Sequence, residues 1–158
     1  SIKKKNLNFH ARFSAKKREY IYKIHQNKNP FLNNRSLFYK ETINIRLLNE
    51  ACKVLVASSD FQSFSKVKTE VNNFKCVINY ARFEKSNDNF NFLISSNRFL
   101  RGMVRCIVGT LLEVNEKKIS LEEFNKIVEN KDRKGTGPSV LASGLYLSKV
   151  EYPSNIYI

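Results

Sequence analysis

Tryptophan is absent, histidine occurs twice, cysteine three times, and aspartate only as Asp60, Asp88 and Asp132. Cys52, Cys76 and Cys106 lie 24 and 30 positions apart, which fits neither a zinc knuckle nor a Cys-x-x-Cys redox pair. They read as buried free thiols, and an odd number without a secretion signal points to a reducing cytoplasm. His10 and His25 have only Glu19 between them as an acidic residue, so the sequence offers no metal site. No acid pair falls in a metal or glycosidase motif, and there is neither a P-loop nor a GxGxxG. No stretch approaches the roughly 18 apolar residues of a membrane span. Ser1 to Lys5 lack the apolar stretch of a signal peptide.

Negative charge is the other scarcity. Lys and Arg number 28 against 14 Asp and Glu, a formal net charge of +14. A polyanion is the partner such a surface suits. The excess is concentrated: residues 1–40 hold eleven Lys and Arg and only Glu19 as an acid. Aromatic residues make up 12% of the chain, too many for a disordered basic tail. The length of 158 residues suits one folded domain, spanning 1–158, with one modest core.

Periodicity divides the chain into strands and helices. Tyr20, Tyr22 and Ile24 alternate with charged or long residues and predict a strand, followed by a loop from Gln26 to Ser36. Asn44 is a plausible N-cap for a helix whose apolar face is Leu47, Leu48, Ala51, Val54 and Leu55. Residues 58–65 read as a polar and aromatic loop. Strands over Lys75–Glu84 and Phe90–Ser95, joined by Lys-Ser-Asn-Asp, predict an antiparallel hairpin. A helix over Phe99–Glu113 follows from Leu100, Met103, Val104, Ile107, Val108, Leu111 and Leu112 at helical spacing. Ser120 and Glu123 form a capping box for another helix, and a Gly-containing loop, Lys131–Ser139, precedes a last strand near Gly144–Tyr152.

Two groups of residues invite a functional reading. Tyr20 and Tyr22, flanked by basic residues, suit either a base-stacking platform or the core. Arg98, Arg101 and Arg105, spaced by three and four, line up around the start of the long predicted helix. Arg105 borders the apolar stripe, where a guanidinium either takes a carboxylate or phosphate as a two-point partner or snorkels to solvent. Gly102 and Gly109, seven apart, add a small-residue face for close packing.

Four blocks carry a family resemblance. FHARFSAKKREYIYKI (9–24), DFQSF (60–64), FLRGMVRCIVGTLLEV (99–114) and SGLYLSKVEYP (143–153) resemble, in order, blocks of the TruA-type tRNA pseudouridine synthases. The stretch from Lys66 to Phe74 departs from that family's Arg-Thr pattern, and the Gly-Arg-Thr-Asp motif bearing its nucleophilic aspartate is missing. The chain therefore resembles the C-terminal part of such an enzyme, and a start at Ser1 rather than Met fits that reading.

The resemblance implies an α+β fold, a mixed and mostly antiparallel sheet backed by helices, in a cytoplasmic homodimer with tRNA as partner. It implies isomerisation of uridine to pseudouridine in the anticodon arm without a cofactor. It assigns Tyr20 to the face of the target base, Leu145 to apolar packing near the uracil, and Arg105 to an ion pair with the missing aspartate. Arg12, Lys16, Lys17, Arg18, Arg98 and Arg101 are expected on tRNA phosphates. The chain alone is expected to bind tRNA without turnover. Two competing readings are a stand-alone RNA-binding module and a ribosome- or nucleoid-associated structural protein, the second of which explains the charge but not the four blocks.

Overall fold

A computed structural model describes residues 9–66 and 71–154. Residues 67–70, within the divergent stretch after Lys66, and Lys3, Lys4 and Lys5 of the basic start lie outside the described residues.

The fold is α+β, an open sheet of five strands with three helices. Strand β1 (Lys17–His25) is its centre. Along one edge it pairs antiparallel with β4 (Asn89–Ser96), which pairs antiparallel with β3 (Ile78–Ser86). Its other edge is shared: β5 (Leu145–Glu151) runs antiparallel beside Lys17–Tyr22, and the short β2 (Leu37–Phe38) runs parallel beside Ile24 and His25.

Alternation along β1 sets the two faces of the sheet, as period-two geometry requires. Tyr22 and Ile24 are fully buried and share their face with Phe92 and Ile94 of β4, which pair with Tyr22 and Tyr20. Helix α1 (Ile45–Ala57) closes this face, with Leu48, Ala51, Cys52 and Leu55 buried. Asn44 caps it by accepting a hydrogen bond from the Leu47 N–H at 3.1 Å, and Asn49 exchanges two hydrogen bonds with the Phe83 backbone on β3. Helix α2 (Met103–Asn115) is buried along most of its length, and α3 (Leu121–Asn130) starts from the Ser120–Glu123 capping box. The three cysteines are buried free thiols.

Several boundaries differ from the sequence expectation. The long helix begins at Met103, not Phe99, because Gly102 takes a left-handed φ of 77° that no helical residue adopts. Leu100 keeps the apolar period by burying itself from the preceding turn. Arg98 and Arg101 therefore do not share a helix face with Arg105, and Gly102 belongs to the cap rather than to a packing face. In the hairpin, Ser86 already pairs with Asn89, leaving only Asn87 and Asp88 in the turn, with Asn87 at φ 53°. Strand β3 starts at Ile78, since Lys75 forms only an isolated bridge with Asp60. The expected loop at 58–65 contains a 3₁₀ turn whose Phe61 and Phe64 are core residues.

Candidate active-site residues

Arg105 sits in the first turn of α2, half-buried, where the loop leading to β5 crosses the helix. Its Nε donates to the Val140 carbonyl at 2.6 Å, and the Val140 N–H donates to the Arg105 carbonyl at 3.2 Å. The loop hugs the helix below this point. A Cβ on Gly109 would stand 1.8 Å from the Pro138 carbonyl oxygen, so the approach exists only because residue 109 has no side chain. The Gly137 N–H donates to the Thr110 hydroxyl at 3.1 Å, and the Cys106 thiol donates to the Thr136 hydroxyl at 3.4 Å.

Tyr22 closes the same corner from the sheet. Its hydroxyl donates to the Leu141 carbonyl at 2.7 Å. Burial pushes its phenol up to about 12, while the nearby Arg105 charge pulls the other way. Gly144 packs close against the ring, since a Cβ there would meet Tyr22 Cζ at 2.8 Å. The chain then enters β5, where Leu145 pairs with Tyr22 and Leu147 with Tyr20. Tyr20 is partly buried and stands edge-on to Phe99, ring centres 5.1 Å apart.

The structure thus gathers Arg105, Tyr22 and Leu145, with Tyr20 and the 53% exposed Leu147 one step along the same face. Tyr22 is core, which removes it as a stacking platform. The Leu141 carbonyl that accepts from Tyr22 and the Val140 carbonyl that accepts from Arg105 escaped the sequence reading. The clustering of Gly135, Gly137 and Pro138 opposite the helical Gly109 was the available signal.

Among the described residues no carboxylate lies within ion-pair distance of Arg105. The chain's aspartates have other tasks. Asp60 pairs with Lys131 at 3.2 Å and caps Gln62, Asp132 caps Lys134, and Asp88 is exposed in the hairpin turn.

The remaining basic candidates disperse. Arg12 and Lys16 are exposed, and the Arg12 guanidinium lies 5.3 Å from the Phe13 ring. Arg18 ties the strand entry by donating to the carbonyls of Arg12 and Asn97. Lys17 points from the opposite sheet face and pairs with Glu19 at 3.1 Å and Glu151 at 3.8 Å. Arg98 is partly buried, donating to Asn73 at 3.4 Å, while Arg101 is exposed in the turn before α2.

A family model described as tRNA pseudouridine synthase matches residues 51–153, the segment that carries Arg105, the crossing loop and Leu145. The chain belongs to the tRNA pseudouridine synthase family. It is 43% identical over 150 residues to tRNA pseudouridine synthase A of Parabacteroides distasonis, covering 94% of this chain and 59% of that protein. It is 40% identical over 151 residues to the protein of that name from Porphyromonas gingivalis, with 94% and 60% covered. The Geobacillus sp. protein of that name is 37% identical over 153 residues, with 96% and 62% covered. The chain thus spans about 60% of the length of these synthases. No helix among the described residues is long and apolar enough to cross a membrane.

Proposed function

We propose that this chain is the part of a tRNA pseudouridine synthase that holds Arg105 ready for a nucleophilic aspartate supplied by the rest of the enzyme. The observation that carries the reading is a half-buried guanidinium anchored through Nε alone, with no carboxylate partner among the described residues. The reaction breaks the bond from C1′ to N1 of a uridine, turns the uracil and rejoins it through C5, with the aspartate acting at the sugar. Arg105 keeps that carboxylate ionised and oriented. Tyr20 lies along the base, Leu145 packs near the uracil, and the working enzyme is a cytoplasmic homodimer acting on the anticodon arm. Arg12, Lys16, Lys17, Arg18, Arg98 and Arg101 offset the cost of extruding the base by contacting phosphates.

The test is Arg105→Ala in the full-length enzyme. An aspartate left partly buried without its counter-ion loses about 3 to 5 kcal/mol and takes up a proton instead, and a protonated carboxyl is a poor nucleophile. Single-turnover tritium release from C5-labelled tRNA should fall by roughly 100-fold or more, with filter-binding affinity nearly unchanged. Arg105→Lys should restore little, since an ammonium lacks the planar fork. A collapse of affinity with turnover surviving at saturating tRNA would make Arg105 a phosphate contact and refute the ion-pair role. The chain alone should bind tRNA and release no tritium; release from it would refute the assignment of the nucleophile to the rest of the enzyme.

A further inference from the structure

On the face of β1 opposite Tyr22, a cavity of about 520 Å³ is lined by Lys23, Ile24, Leu32, Arg35, Ser36, Ser86, Asn89, Asn91 and Tyr146. It holds two cations and no carboxylate, and neither Lys23 nor Arg35 has an ion-pair partner among the described residues. Its walls are tied in place. The Tyr146 hydroxyl donates to the Arg35 carbonyl at 2.8 Å, joining β5 to the loop, and Ser36 is hydrogen-bonded to the buried His25 ring at 2.6 Å. Lys23 Nζ rests 4.7 Å from the centre of the Tyr146 ring.

We propose that this cavity binds one unpaired nucleotide of an RNA, its phosphate against Lys23 and Arg35 and its sugar or base edge against Ser86, Asn89 and Asn91. Two unpaired cations call for an anion. Neutral amides and hydroxyls, which both donate and accept, match ribose and base edges better than they match the carboxylates of an acidic peptide. One residue before Leu32 stands Phe31, 84% exposed, at the tip of a 3₁₀ turn that Asn29 caps by accepting from the Phe31 N–H at 2.9 Å. A solvent-facing ring next in sequence to a residue that lines the cationic cavity offers a stacking surface for the neighbouring base. The site is separate from the Arg105 corner, because Lys23 and Tyr22 project from opposite faces of β1, so it holds a different nucleotide from the one that reacts. This inference rests on the reading that the chain acts on tRNA.

The experiment uses the full-length protein and a fluorescein-labelled single-stranded RNA decamer, followed by anisotropy across a salt series. Lys23→Gln with Arg35→Gln should weaken binding at least about five-fold, and should flatten the slope of log K against log salt by about 1.4, at ~0.7 for each phosphate no longer neutralised. Asn91→Asp, which adds a repelling charge and removes no cation, should weaken binding in the same direction. The charge-matched pair Lys53→Gln with Lys126→Gln, on α1 and α3, should leave the slope unchanged. RNA binding by the wild type that survives both cavity variants overturns this site alone. A wild type that binds tRNA but not the decamer overturns this site alone, and one that binds neither overturns the site together with the proposed function. Cavity variants that keep RNA but lose a labelled poly-glutamate peptide overturn it in favour of an acidic protein partner.

Discussion

Gly109→Ala is the substitution by which the corner around Arg105 can be loosened without touching Arg105. The new methyl would stand 1.8 Å from the Pro138 carbonyl oxygen and 3.0 Å from its carbon, both backbone atoms that no rotamer change can move. Ordinary contact begins near 3.4 Å, so the loop must retreat by about 1.6 Å. Overpacking of this kind costs about 1 to 3 kcal/mol. The retreat also pulls the Val140 carbonyl away from the Arg105 Nε, now 2.6 Å distant, and a hydrogen bond to a charged group contributes about 1.5 to 3 kcal/mol. Alanine returns ~1 kcal/mol through its better helix propensity. The net loss is about 1.5 to 5 kcal/mol, a fall in Tm of roughly 3 to 20 °C. Circular dichroism melts of wild type, Gly109→Ala and Gly135→Ala provide the comparison. At Gly135 the added methyl meets only the Ile127 side chain, at 3.3 Å, and the change should stay within ~1 kcal/mol. Gly109→Ala melting with Gly135→Ala would refute the account of how the loop is seated on α2.

Two further outcomes follow from the core and its caps. Burial pushes the Cys52 thiol up to about 12 and, as the largest effect on it, the Cys76 thiol up to about 11, both from 9.0. The folded state therefore keeps protons that the unfolded chain releases, so stability is intact below about pH 9 and falls from there towards pH 11 to 12, by at most ~1.4 kcal/mol per pH unit per thiol. Urea midpoints measured across that range should decline less steeply in Cys52→Ala, and parallel declines would refute the cause. Asn44→Ala removes the acceptor at the start of α1 and should cost about 1 kcal/mol in the same titration at neutral pH, with an unchanged midpoint counting against the cap.

What could be read from the sequence was what local periodicity and side-chain chemistry determine. The β1 alternation, the Asn44 cap, the Ser120–Glu123 box and the apolar period of α2 each depend on residues a few positions apart, and each is present in the structure. The misplaced start of α2 shows the limit of that reading. Leu100 extends the helical period, yet Gly102 breaks the backbone, and apolar spacing cannot distinguish a buried turn residue from a buried helix residue. Strand β2 escaped because two residues carry no period, and its partner lies a full loop away at Ile24 and His25. The two cations of the cavity beside Tyr146 were equally hidden, since Lys23 and Arg35 come together only when the loop after β1 folds back.

Arg105 was legible for a different reason, and its surroundings were not. Its place beside an apolar stripe follows from helical geometry, which says that the cation is half withdrawn from water and says nothing of what holds it. The anchoring comes from residues 35 and 36 positions later, where the Val140 carbonyl takes the guanidinium and the Leu141 carbonyl takes the Tyr22 hydroxyl. Both carbonyls belong to one loop, so the arginine on the helix and the tyrosine on the sheet are held by two adjacent peptide units. That loop runs through Gly144 into Leu145, which pairs with Tyr22. A displacement of the loop therefore moves the cation and the apolar wall together. Loop variants such as Gly109→Ala should lower turnover and stability in concert by moving both parts, whereas Arg105→Ala removes the cation and its one hydrogen bond and leaves the Gly109–Pro138 contact and the Leu145 pairing in place.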